Sequence, residues 1–210
     1  MALFHSSGFR GAAAIAGLVV SAGVLADAHG MKASATIIGC ENKKIEGIAT
    51  LVEQTTPEGI KEVTVEMRVT GLTDGKHAVH IHEVGACEPC GAAGGHHDPG
   101  PYGESRPDSA GDDAPAKDIN HPYHMGDLIN LDVKEGLGVM KHTTNRVTLS
   151  PGRLSILDEN GSAFIIHTNP DTYCDHESDL KKGCAGGSRD ACGIIRASGD
   201  ATYPSEGEDT

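Results

Sequence analysis

Histidines at particular spacings are the residues in this chain best placed to do chemistry. His80 and His82 lie two apart in a strand-like run, so both rings leave the same face of a strand. His96 and His97 follow in Gly94-Gly95-His96-His97-Asp98-Pro99, where the glycines permit tight turns. His121 and His124 are three apart, Asp127 is three further on, and His167 ends an apolar run. Imidazole is a good ligand for copper and zinc. Imidazoles and a carboxylate converging from one loop suit a tetrahedral zinc site. The chain thus offers nitrogen ligands for one redox metal and mixed nitrogen and oxygen ligands for a second. The His-x-His pair alone reads equally well as two surface histidines. His77, His142 and His176 read as ordinary surface or turn residues.

Strands must position these groups. In 60–72, Val63, Val65, Met67 and Val69 alternate with Glu62, Thr64, Glu66 and Arg68, the period-two pattern of a half-buried strand. Similar texture predicts strands at 31–40, 45–53, 77–83, 127–133, 139–149, 154–157, 163–167 and 191–195. Two long polar stretches interrupt them, 84–125 and 168–189. The first is well beyond an ordinary connection and is either disordered or tied down by something other than a core, and its metal-binding residue types favour the second. No repeat and no convincing helical period is present. The expected fold is all-β: a Greek-key β-barrel or immunoglobulin-like sandwich with two long functional loops.

Length and composition set the boundaries. The 210 residues suit one domain. Residues 1–28 read as an export signal, with Arg10 before an apolar run and Ala26-Asp27-Ala28 as a small-x-small cleavage site. A mature chain would then begin at His29, whose amine and ring can chelate copper. The domain is expected over 29–196, followed by a mobile acidic tail, 197–210. No later segment is apolar enough to cross a bilayer, so no stable membrane insertion is expected after signal removal. The net charge of −13 argues against a nucleic-acid partner. Six cysteines in an exported chain read as disulfide material. Cys174 and Cys184 bracket part of the second loop and are expected to pair. Cys40 and Cys90 are left open, and Cys87-x-x-Cys90 also admits redox or zinc chemistry. The destination is periplasmic or extracellular, and the sequence does not choose between monomer and homodimer.

The chain resembles the copper/zinc superoxide dismutase family, in particular its bacterial exported members. The matching segments are His80-Ile81-His82-Glu83, Gly95-His96-His97-Asp98-Pro99, His124-Met125-Gly126-Asp127-Leu128, Ile166-His167 and Gly187-Ser188-Arg189-Asp190-Ala191-Cys192-Gly193-Ile194-Ile195. They occur in the family's order across nearly all of the mature chain. The resemblance implies copper held by His80, His82, His96 and His167, and zinc held by His96, His121, His124 and Asp127. His96 would bridge the two ions and carry a proton. Asp171 would accept hydrogen bonds from one histidine of each ion. Cys87 would pair with Cys192, and Arg189 would stand beside the open copper position to attract and orient the superoxide anion. Lys181 and Lys182 either add to that field or only solubilise their loop. The implied reaction is a two-step cycle in which one superoxide leaves as oxygen and a second leaves as hydrogen peroxide.

The chain departs from the family pattern at an acidic insert, 108–118, and at His121, which stands only three residues before His124. His97 occupies a position that is usually Phe and competes with His121 for the zinc role. Two other functions fit parts of the pattern: a copper-delivery module, which needs no anion-guiding arginine, and a zinc-stabilised structural domain.

Overall fold

The computed structural model describes residues 1, 30–99, 121–174 and 184–198. The proposed export segment beyond Met1, His29, the insert 108–118, His176, Lys181, Lys182 and the tail from 199 lie outside the described residues.

The alternating segments form antiparallel strands. They are β1 (Lys32–Gly39), β2 (Glu46–Thr55), β3 (Lys61–Thr70), β4 (Gly75–His77), β5 (Val79–His82), β6 (Leu131–Lys134), β7 (Leu137–Thr144), β8 (Ala163–His167), β9 (Arg189–Ile194) and β10 (Arg196–Ala197). In β3, Val63, Val65, Met67 and Val69 are buried while Glu66 and Arg68 face solvent, because successive side chains leave opposite faces.

The sheet runs β4-β6-β7-β3-β2-β1-β9-β8-β5, with β10 added on β1. Its two end strands, β4 and β5, are separated in the chain by Ala78 alone. The ends of the sheet must therefore meet, and the sheet curls into a nearly closed barrel. Leu51, Met67, Ile81, Leu131, Ile156, Phe164 and Ile166 fill the interior. Each fully buried aliphatic or aromatic side chain contributes about 1.5–3 kcal/mol.

Several sequence expectations differ from the structure: the strand expected over 127–133 begins only at Leu131, and the one expected over 77–83 breaks at Ala78. The segment 154–157 forms no strand. Its single bridge is Thr148 to Ser155, although Ile156 is fully buried. A short apolar run reports burial without reporting a ladder. The strand expected over 139–149 ends at Thr144, and Asn145-Arg146 begins an irregular crossing. At the end of the described residues, Ala197 pairs with Ala33 and Ser198 donates its N–H to Lys32 O at 2.8 Å.

Candidate metal centre

β5 is buried on both faces, with Val79 and Ile81 in the core and His80 and His82 on the other side. β8 pairs along one of its edges. The other edge receives the two histidine-bearing loop segments. Ile81 N–H donates to Gly126 O at 2.9 Å, His97 N–H donates to Ile81 O at 2.8 Å, and Gly126 N–H donates to His97 O at 2.8 Å. Isolated bridges join His80 to Asp127 and His82 to His96. The approach requires Gly126, because a Cβ there would lie 2.2 Å from Ile81 O. His167 closes β8 just past a register shift, and its N–H donates to Ala78 O at 2.9 Å.

These elements gather two groups of ligand-type atoms. One holds His80, His82, His96 and His167; the other holds His80, His96, His121 and Asp127. Within each group the atoms lie within 4.8 Å of one another. His124 joins the second group, with Nδ1 3.1 Å from Asp127 Oδ2 and its ring centroid 5.1 Å from that of His96. His96 belongs to both groups, and its Nδ1 is 2.7 Å from Asp127 Oδ1.

The outward bonds set which nitrogen of each ring is left inside. His80 Nε2 donates to Asp171 Oδ2 at 2.9 Å, His82 Nδ1 to Gly94 O at 2.9 Å, and His167 Nδ1 to Gly187 O at 2.7 Å. His121 Nε2 donates to the Asp171 carboxylate at 2.9 Å. The opposite nitrogens, His80 Nδ1, His82 Nε2, His167 Nε2 and His121 Nδ1, are buried without a hydrogen-bond partner. His121 Nδ1 is 3.2 Å from Asp127 Oδ2, close enough for ion-pair attraction but not aligned for a hydrogen bond. Buried imidazoles with one nitrogen tethered outward and the other converging inward fit metal ions.

The charges follow from this packing. Burial and then the neighbouring His96 push His80 down to about 4. Burial, then His96, then Arg189 hold His82 well below the usual histidine range. Burial and then His80 do the same for His167. Burial also opposes charge on His121, but the close carboxylates of Asp127 and Asp171 outweigh it and raise the ring to about 9. Burial works to raise both aspartates. Histidine contacts prevail and hold Asp127 and Asp171 well below the carboxylate range.

Arg189 Nη1 donates to Cys90 O at 2.8 Å, and Nη2 donates to Gly94 O at 2.7 Å. Gly94 O therefore serves both Arg189 and His82. The acceptors lie on the 3₁₀ turn Cys90–Ala93 and its following residue. Cys40 pairs with Cys90, Cys87 with Cys192, and Cys174 with Cys184. The first bond ties this turn to the end of β1, where Cys40 N–H donates to Asp190 O at 2.8 Å.

His97 stands apart from both groups, 3% exposed, with Nε2 lacking a hydrogen-bond partner. His77 is no surface residue. It is 1% exposed, its Nδ1 is 2.8 Å from His167 O, and its Nε2 is 2.9 Å from Thr73 O. Other supporting residues carried no sequence signal. Asn130 Nδ2 donates to Asp171 O at 2.9 Å, and Asn130 Oδ1 accepts the Asp171 N–H at 2.8 Å. Tyr173 N–H donates to Asp171 Oδ1 at 2.7 Å. Arg146 reaches the carbonyls of Pro122, His124 and Asp127.

Comparison with known proteins agrees with this geometry. A family model described as copper/zinc superoxide dismutase matches residues 45–195. Superoxide dismutase [Cu-Zn] A of Xenopus laevis is 37% identical over 138 residues, covering 64% of this chain and 80% of that protein. Superoxide dismutase [Cu-Zn] of Deinococcus radiodurans is 34% identical over 165 residues, covering 73% and 79%. Among solved structures, the clock protein EA4 aligns with a TM-score of 0.57 at 27% identity, covering 80% of this chain and 94% of that one. With the family model spanning both histidine groups and Arg189, this chain belongs to the copper/zinc superoxide dismutase family.

Proposed function

We propose that His80, His82, His96 and His167 hold copper, and that His96, His121, His124 and Asp127 hold zinc. One observation carries the assignment: rings whose outward nitrogens are tethered leave their inward nitrogens buried and without hydrogen bonds. Each such group costs about 1–3 kcal/mol if left unsatisfied. The position of His121 in the second group, with its far nitrogen on Asp171, favours it over His97 for zinc.

The family's reaction consumes two superoxide anions and two protons and yields oxygen and hydrogen peroxide. When bound, copper supplies the one-electron redox couple and zinc a fixed dication beside the shared ring. Arg189 supplies a permanent cation whose position is fixed by two carbonyls, so it draws in the anion and orients it. His96 has Nδ1 turned toward Asp127, which leaves Nε2 for the copper group; whenever that nitrogen is not bound to the ion it can hold a proton and pass it to the departing product. Asp171 keeps the protons of His80 and His121 on their far nitrogens and fixes both ring planes.

The chain is further read as a bacterial exported enzyme, with residues 1–28 removed and the product periplasmic or extracellular. Three disulfides suit an oxidising compartment. An extracellular superoxide dismutase of Drosophila melanogaster is 29% identical over 79% of the chain. N-terminal sequencing of the secreted fraction tests this reading, with His29 as the expected first residue. Among the described residues, no helix is long and apolar enough to cross a membrane. Sedimentation of the metal-loaded protein distinguishes monomer from homodimer.

The decisive assay is superoxide consumption by protein loaded with both metals. Tight copper binding without consumption would indicate a carrier instead. A purified protein that is full of zinc and refuses copper would indicate a structural domain.

A further inference from the structure

Arg146 belongs to no ligand motif, yet its guanidinium grips the main chain of the segment that carries His121, His124 and Asp127. Nη1 donates to Pro122 O at 3.3 Å and to His124 O at 3.1 Å, and Nη2 donates to Asp127 O at 2.5 Å. The side chain leaves the crossing that follows β7, where Arg146 N–H donates to Thr144 Oγ1 at 3.1 Å. One end of the arginine is thus fixed to the barrel wall and the other to the loop.

Two of the three carbonyls belong to residues proposed as zinc ligands. Fixing a residue's carbonyl fixes the peptide plane from which its side chain departs. Asp127 is held at its other end too, since Oδ2 accepts the His124 N–H at 2.9 Å. The planar guanidinium spans three acceptors at once, which an ammonium on a flexible stem does not reproduce.

We propose that Arg146 is a positioning residue for the zinc half of the centre. It holds the 121–127 segment in the conformation from which His124 and Asp127 converge, an inference that rests on the ligand assignment above. Its charge and its geometry act in opposite directions. A cation near a dication site repels the metal, whereas a fork that orders the ligand segment favours binding. The sign of the effect on zinc affinity therefore separates the two.

The test uses the full chain with Arg146→Lys, which keeps the charge, and Arg146→Met, which keeps only the stem. Zinc affinity is read by chelator competition, and site geometry by the visible absorption of Co²⁺ bound in place of zinc. Both variants should lose about 10–100-fold in zinc affinity, and their Co²⁺ bands should weaken and broaden as tetrahedral order is lost. Wild-type affinity in the Lys variant, with unchanged or tighter binding in the Met variant, overturns the proposal. If the Met variant does not fold, the Lys variant decides, with cooperative urea unfolding as its control. A His124→Ala arm separates the two levels of the argument. Unaltered zinc affinity there means the ligand assignment fails. Loss there with normal Arg146 variants means only this inference fails.

Discussion

Asp171 couples the two histidine groups, since one carboxylate holds His80 and His121 by their far nitrogens. Asp171→Asn removes the charge and offers only one acceptor oxygen for two ring N–H donors. The expected outcome is a loss of about 10–100-fold in metal affinity, greater for zinc, measured by competition with a chelator. Protonation adds a second prediction. His121 titrates at about 9, so near neutral pH it carries a proton that zinc must displace. Zinc titration in weak buffer should release protons, and affinity should fall as pH drops below about 9. The metal-free fold should show a further dependence. Between about 4 and 6.5 the unfolded chain protonates its equivalent of His80 while the folded chain does not. Stability must then fall as pH drops through that window. His82, His97 and His167 are lowered likewise and add to the effect. The opposing gain from His121 is already complete below 6.5, and that of the depressed Asp127 and Asp171 is retained down to 3.8. Urea unfolding of metal-free protein should give a lower midpoint near pH 5 than near pH 7, with no change counting against the burial argument.

At the scale of elements, β5 has β8 on one edge and the metal-site loops on the other. Gly126→Ala should push the loop off β5, because the new Cβ meets main-chain oxygen rather than a movable side chain. Overpacking of this kind costs about 1–3 kcal/mol, readable as a lower thermal midpoint. The Cys40–Cys90 bond is the second element-scale device, since it ties the turn that supplies both Arg189 acceptors to the end of β1. Replacing both cysteines by Ser should cost about 2–4 kcal/mol in denaturant unfolding. Glu53 shows the same principle away from the site. It is 5% exposed, and its Oε2 accepts the N–H groups of Leu149 at 2.6 Å and Ser150 at 2.9 Å. Burial tends to raise its carboxyl, but those bonds and Lys61 prevail and lower it. Glu53→Ala strands two donors at the end of the barrel and should cost about 1–3 kcal/mol.

For the whole molecule, the relevant quantity is the contrast between a net charge of −13 and a guanidinium held beside the proposed copper ligands. A negative protein repels a small anion at long range, so capture depends on a confined positive field. Arg189→Gln should reduce the second-order rate constant for superoxide and flatten its dependence on ionic strength. An unchanged salt profile would remove Arg189 from the capture step. The ends of the sheet meet at Ala78, and His77, buried beneath the site, bonds to the His167 carbonyl.

The strands and histidine motifs were legible in the chain because they are local. Alternation exposes the buried face of β3, and two-residue spacing puts His80 and His82 on one side of β5. The argument that favours His121 over His97 is not local. It depends on which ring the loop turns toward Asp171, a residue 50 positions from His121. The pairing of Cys40 with Cys90 was equally hidden, since it spans 50 residues and requires β1 to end beside the 3₁₀ turn. Arg146 and Asn130 act through main-chain atoms that every residue possesses, so no residue type announces their partners. Sequence alone determined which side chains were available and which face of each strand they share. Tertiary structure decided which nitrogen of His80, His82, His121 and His167 points inward, because backbone carbonyls and a carboxylate from other segments claim the opposite one.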